Sequence, residues 1–358
     1  MSELYRQKPQ INSSCPSIGR MWLICGCAFF CILQSAVSDG GQSLAIAVTA
    51  LLTAILLELF LMRRHNGVSR IKDGSAAATA LILTIMLPNQ IHPAYAALGV
   101  AFAIVVVKYS FGGLGSNWLN PALGGWLFIR LSWPAAFSGS LAGSQLEGSS
   151  SPVTEFIASN ASAIDNSVNN FFNNSIFSLS GSQLPSGYID LLFSNNPGII
   201  TDRGLFFLIA GTVIITAFGI NRGWVPLVFL SVYGFLIRFA GANGDLFSGD
   251  VLYGFLSGGT IMAAFILAAE PSSGAKLQYG VLFTVIFGAV LSWFFRYRCM
   301  EYTGCFIALA FVNCLTPIVR LIEDKFFLSG LQEKNIPNPG LDASGRTEVH
   351  DAVRENSL

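Results

Sequence analysis

Long apolar runs, separated by short stretches rich in polar residues, glycine or proline, recur along most of the chain. A helix crosses about 30 Å of hydrocarbon with roughly 20 residues, or fewer where neighbouring helices shield it. On that measure the pattern predicts ten membrane segments. They are Met21–Val37, Ser43–Met62, Ser75–Leu87, Pro93–Tyr109 and Pro121–Phe137, then Gly204–Gly219, Trp224–Phe239, Val251–Ala269, Gln278–Phe295 and Tyr302–Ile322. The third and fifth are short and carry Gly, Ser, Asn or Pro, as expected of helices enclosed by protein.

Lys and Arg set the orientation, because they concentrate in cytoplasmic loops. With both termini in the cytoplasm, most of the 20 basic residues fall inside, among them Arg20, Arg63, Arg64, Lys72, Lys108, Lys276 and Arg320. Arg203, Arg238, Arg296 and Arg298 fall outside, and Arg130 lies within a span. The expected organisation is a cytoplasmic tail (1–20), a first five-helix repeat (21–137), an extracytoplasmic Ser/Asn-rich loop (138–203), a second five-helix repeat (204–322) and a cytoplasmic tail (323–358). Five is odd, so the second set enters the membrane with opposite polarity, which is how inverted repeats arise. The predicted class is an all-α polytopic membrane protein built as two inverted five-helix repeats.

Composition agrees with this class. Of 358 residues 53% are hydrophobic and 11% charged, against about 25% charged in an ordinary soluble domain. Lys+Arg and Asp+Glu are 20 each, so the basic footprint that nucleic acid needs is missing. Cys15, Cys25, Cys27, Cys31, Cys299, Cys305 and Cys314 lie mostly in or beside apolar runs, in no disulfide or cluster-binding spacing. His65, His92 and His350 are scattered, without metal spacing.

Three constellations could carry chemistry. Lys72-Asp73-Gly74-Ser75, followed by Thr79, offers hydroxyls beside small residues; it reads as a ligand wall or as helix packing. Gly112-Gly113-Leu114-Gly115 leads through Ser116 to Asn120-Pro121, where a helix start presents free N–H groups to an anion or a carbonyl, or forms a simple re-entrant turn. Glu270-Pro271 ends an apolar run, so Glu270 is either a functional intramembrane carboxylate or one that reaches water. Ser257-Gly258-Gly259-Thr260 in the eighth segment answers Asp73-Gly74-Ser75 in the third. Paired, Gly/Pro-interrupted spans in two halves point to a binding site. From the residues alone, a solute, an ion or an electron is equally admissible there.

At these positions the chain resembles the D-type subunit (RnfD) of the Rnf ion-translocating electron-transport complex, a family shared with the B-type subunit of sodium-translocating NADH:quinone reductase. The likeness is carried by Asp73-Gly74-Ser75 through Leu87-Pro88, by Gly112-Gly113-Leu114-Gly115 through Asn120-Pro121-Ala122, by Ser257-Gly258-Gly259 through Glu270-Pro271, and by Tyr302 through Asn313 and Pro317. It runs from about Ile71 to Ile322. The resemblance implies a subunit of a redox-driven ion pump in the inner (cytoplasmic) membrane, relaying electrons through flavin and coupling this to cation translocation. Its implied partners are the other subunits, including a flavin-bearing one on the outer face, and membrane lipid. Ser75, Thr79, Asn120 and Gly258 are the expected lining of an intramembrane flavin pocket.

The family also joins an FMN phosphate to a threonine in the long connection, upstream of a Pro-Gly-Ile-type segment. That segment matches Asn196-Pro197-Gly198-Ile199-Ile200-Thr201-Asp202, which aligns the attachment motif with Ser180-Gly181-Ser182-Gln183. Gln183 stands at the threonine and Phe177 at the aspartate, and an amide cannot form the phosphoester. Ser180 and Ser182 are the hydroxyls left nearby. The expectation is therefore flavin held without the usual covalent bond, including a second, non-covalent flavin, or none. The alternatives are a channel or transporter for a small solute or ion with the same architecture, and a cofactor-free scaffold.

Overall fold

The computed structural model describes residues 17–63, 73–110, 119–137, 163–175, 187–193, 198–240, 249–270 and 274–333. Among them there is helix but no strand, and an isolated antiparallel bridge joins Pro88 to Ile199. The first half contains α1 (Ser17–Ser38), α2 (Gln42–Arg63), α3 (Ser75–Met86), α4 (Pro93–Phe102) and α5 (Pro121–Ser132). Two short helices, α6 (Ala163–Ser175) and α7 (Tyr188–Leu192), lie in the long connection. The second half contains α8 (Ile200–Arg203), α9 (Leu205–Ala217), α10 (Trp224–Ala240), α11 (Val251–Leu256), α12 (Thr260–Met262), α13 (Gln278–Trp293) and α14 (Gly304–Glu333).

All ten predicted segments are helical, but they differ in kind. Among the described residues four helical stretches are long and apolar enough to cross a membrane: Ile18–Ser38, Gln42–Leu61, Gln278–Arg298 and Gly304–Lys325. Ser75–Met86, Pro93–Tyr109, Leu205–Ala217 and Trp224–Ala240 are shorter apolar helices. The lipid-type faces are plain: Leu52, Leu56, Leu59 and Phe60 of α2 and Leu227 and Phe235 of α10 are exposed. By contrast α3 is buried along almost its whole length, with only Ala77 partly exposed. A helix apolar all round is one enclosed by protein, which is why twelve residues suffice there.

Local chemistry sets the ends. Asn120 accepts from the N–H groups of Ala122 and Leu123 with Pro121 behind it, the combination that starts a helix well. The fifth segment stops earlier than expected, at Ser132, where Trp133-Pro134 interrupts it. The tenth runs past Ile322 to Glu333. Glu323, expected in the tail, is buried and accepts from the N–H groups of Lys276 and Leu277 at 3.1 Å each, capping the start of α13 from a neighbouring helix.

Candidate functional site: two buried cations on matched turns

The eighth segment is not one helix. After α11 the chain turns through Ser257-Gly258-Gly259, with Gly258 and Gly259 at φ +64° and +69°, and restarts as α12. A Cβ on Gly258 would lie 2.6 Å from the Tyr302 carbonyl, and one on Gly259 would lie 2.4 Å from the Phe306 ring. Glycine is needed for both reasons. A break frees backbone groups that lipid cannot satisfy, and two charged side chains take them up. Asp202, fully buried, accepts from Gly258 N–H and Gly259 N–H at 3.0 Å each and from the Tyr302 hydroxyl at 2.6 Å. Arg296, also fully buried, donates to the Ser257 carbonyl at 2.8 Å, the Gly254 carbonyl at 3.2 Å and the Thr260 hydroxyl at 3.0 Å. It further reaches Ser257 Oγ at 2.6 Å and the Tyr233 hydroxyl at 3.4 Å, with the rings of Tyr297 and Tyr302 beside it.

The third segment begins the same way. Gly74 stands at φ +67° and Ser75 heads α3, as Gly259 and Thr260 head α12. Lys108 Nζ donates to Ser75 Oγ at 2.8 Å and to Glu58 Oε1 at 3.0 Å. Both charged side chains are 6% exposed. The cations correspond in setting: Lys108 lies in a π-helical turn that ends the α4 segment (Ala103–Tyr109), Arg296 in one that ends the α13 segment (Phe294–Arg298). Single π turns inside α-helices concentrate at functional sites. In each half the cation bonds the hydroxyl that heads the glycine-turned helix and a group from the second long helix, Glu58 in the first and Tyr233 in the second.

A third polar group lies where Asn120, still capping α5, donates to the Glu270 carboxylate at the end of the eighth segment. Beside it is a cavity of about 20 Å³ whose lining includes Glu270, Thr284, Leu309, Val312, Asn313 and Thr316. That is room for about one water. On the other side, the tail of the long connection folds into the bundle. Asn89 N–H donates to the Gly198 carbonyl at 3.4 Å and Ile200 N–H to the Leu87 carbonyl at 3.0 Å, and this carries Asp202 to the glycine turn. Tyr188 donates to Asp250; burial, and then this carboxylate, hold its phenol well above the ordinary range.

The predicted pocket residues fall into three hydrogen-bond networks. Ser75 and Thr79 belong to the Lys108 network, since the Thr79 hydroxyl donates to the Ser75 carbonyl at 2.9 Å. Gly258 belongs to the Asp202 turn, and Asn120 to the rim of the cavity. Ser180, Ser182 and the Gly112–Ser116 stretch lie outside the described residues. Glu58 and Lys108 do not stand out as a pair in the sequence, and Arg296 is expected there in an outer loop. Arg296 is instead buried inside the bundle, which removes one exception to the orientation rule. A lone carboxylate in the apolar run of α2 was the available signal for Glu58. Cys25, Cys27 and Cys31 are buried free thiols, and the described residues hold no metal-binding group of His, Cys, Asp and Glu.

Similarity to known proteins agrees with this architecture. The chain is 25% identical over 314 residues to the D-type subunit of the "Proton-translocating ferredoxin:NAD(+) oxidoreductase complex" of Clostridium ljungdahlii, covering 86% of this chain and 88% of that one. It is 27% identical over 270 residues to the D-type subunit of the "Ion-translocating oxidoreductase complex" of Shewanella sediminis, covering 69% and 73%. It is 28% identical over 253 residues to the B-type subunit of the "Na(+)-translocating NADH-quinone reductase" of Klebsiella pneumoniae, covering 67% of this chain and 57% of the relative. The matching family model spans residues 4–327, and the chain belongs to the NQR2, RnfD, RnfE family.

Proposed function

We propose that this multi-pass membrane protein is the D-type subunit of an ion-translocating electron-transport complex, relaying electrons through flavin and coupling their passage to cation movement. The observation that carries the reading is the family match across residues 4–327, which takes in both sets of helices and the long connection. The relatives' names supply the complex, and the buried Glu58–Lys108 pair supplies an intramembrane charge of the kind that marks ion pathways. The membrane is the inner one and both termini face the cytoplasm, on the Lys/Arg distribution. A flavin-bearing partner on the outer face delivers the electrons.

The cavity beside Glu270 holds about one water and does not seat a flavin ring; a non-covalent flavin is assigned instead to the neighbourhood of Ser75, Thr79, Asn120 and Gly258. When bound, flavin supplies one- and two-electron transfer. The chain's own task is to hold the ring and fix its polar edge. Covalent attachment, if it occurs, falls to Ser180 or Ser182, because Gln183 has no hydroxyl.

The test is the visible spectrum of the purified complex before and after denaturation. Flavin released on denaturation supports non-covalent binding, and flavin retained on the chain supports attachment. Flavin fluorescence on a denaturing gel that survives Ser180→Ala with Ser182→Ala rejects these serines. If neither assay finds flavin, the relay is removed and a pore or a scaffold is left.

A further inference from the structure

We infer that Arg130 and Glu301 form a gate that closes the outer end of the seam between the two halves. The inference rests on the ion-pump reading above and adds a barrier to it. Arg130 is a charge inside a membrane span that belongs neither to the glycine turns nor to the Lys108 network, and a charge in such a place is functional by default. One nitrogen of its guanidinium donates to both oxygens of the Glu301 carboxylate, at 2.9 Å each. Arg130 lies in α5, in the first half, and Glu301 just ahead of α14, in the second. The pair therefore joins the halves directly.

Its exposure suits a contact that opens. The side chains of Glu58 and Lys108 are each 6% exposed, whereas those of Arg130 and Glu301 are 19% and 33% exposed. A pair sealed from water leaves a bare charge when it parts, while a pair that water reaches separates and re-forms at little cost. The basic-residue distribution puts the Arg130 end of α5 and the turn before α14 on the outer side. At its other end α5 meets the second half again, where Asn120 donates to Glu270. The two contacts lie about 15 Å apart along the helix, so α5 forms one wall of the seam and Arg130 stands at its outer mouth.

The surroundings decide which partner moves. The Arg130 guanidinium lies 5.3 Å from the centroid of the buried Phe137 ring, so the arginine keeps a neighbour when Glu301 lets go. The turn that carries Glu301 is pinned. Glu301 N–H donates to the Phe295 carbonyl at 3.1 Å, and the adjacent Tyr302 hydroxyl donates to Asp202 at 2.6 Å. Met300, just before it, is the one non-glycine at positive φ among the described residues, at +56°. L side chains rarely adopt that conformation, and strain of this kind clusters at clamps and switch regions. With the backbone held, the gate opens by rotation of the Glu301 side chain, and the glycine turn of the second half stays as it is. Closed, the paired charges block the mouth; open, the freed carboxylate offers a passing cation a counter-charge beside Arg130.

The experiment uses the assembled complex in liposomes, with radioactive sodium as one probe and protons, read by an entrapped pH dye, as the other. Without an electron donor, Glu301→Gln is expected to leak at least one of these cations where the wild type holds both. With the donor, it is expected to move fewer cations per electron while electron transfer continues. Exchanging the charges, Arg130→Glu with Glu301→Arg, is expected to restore tightness. A Glu301→Gln complex as tight as wild type, whatever its Tm, overturns the inference and leaves a brace between the halves; a leak that persists after the exchange overturns it too. Should Glu301→Gln fail to assemble, the wild-type complex answers. A membrane-impermeant carbodiimide added from outside is expected to modify Glu301, read by peptide mass spectrometry, faster with the electron donor than without it. Absence of modification, or a rate indifferent to the donor, overturns the gate equally. A wild-type complex that transfers electrons and moves no cation would instead sink the pump reading itself.

Discussion

The two halves begin their glycine-turned helices alike and then diverge in what faces the buried cation. In the second half Arg296 meets the Ser257 and Gly254 carbonyls, the Thr260 hydroxyl and the Tyr233 phenol, with Asp202 holding the same turn from its N–H side. That is a lock, in which backbone groups freed by the break are taken up by opposite charges. In the first half Lys108 meets the Glu58 carboxylate and the Ser75 hydroxyl. One side chain can leave without orphaning any backbone. Matched folds thus hold a cation bound to backbone in one half and an ion pair in the other, the difference resting on a carboxylate in α2 where α10 presents a phenol.

Stability measurements sharpen this contrast. The largest expected loss follows Arg296→Leu, which strips the Ser257 and Gly254 carbonyls and the Thr260 hydroxyl of their donor; each buried group left unsatisfied costs about 1–3 kcal/mol. Detergent-solubilised Tm is expected to fall steeply, and Asp202→Asn added to it is expected not to restore it, because the Ser257 and Gly254 carbonyls remain without their donor. Lys108→Met alone is expected to destabilise by a similar order, about 3–5 kcal/mol, yet Glu58→Gln with Lys108→Met is expected to return close to wild type, since removing both charges of a buried pair is often neutral. Equal rescue in both halves would erase the distinction between a backbone lock and an ion pair.

Smaller effects probe the turns. Gly259→Ala places a Cβ 2.4 Å from the Phe306 ring at a left-handed φ; left-handed backbone alone costs an L-residue about 1–2 kcal/mol, and the clash adds to it. Gly74→Ala is expected to cost less, because its Cβ would meet the Trp22 ring at 3.1 Å. Asn120→Ala removes the α5 cap and the bond to Glu270, an expected loss of about 1 kcal/mol, with flavin retention on a sizing column as the second readout.

Much of the fold was legible because membrane helices announce themselves by apolar length, and the glycine turns at Gly74 and Gly258 by composition. The internal architecture was less so. Arg296 looks like a loop charge in a linear reading, because the π turn that carries it runs just past the end of the predicted segment. Glu323 looked like the start of a tail, since nothing in the order of residues shows that it caps α13 from outside. Asp202 was aligned with an acidic family position, but its partners, Gly258, Gly259 and Tyr302, lie 56 to 100 residues away. Pairings of that range are fixed by packing rather than by local pattern.

The most direct test is the number of cations moved per electron by the reconstituted complex carrying Glu58→Gln, set against the same complex carrying Tyr233→Phe. The ratio is expected to collapse to the background of empty liposomes in the first and to stay at the wild-type value in the second. A wild-type ratio in Glu58→Gln, or a collapse in Tyr233→Phe, would contradict an ion-pathway charge in the first half and a structural one in the second.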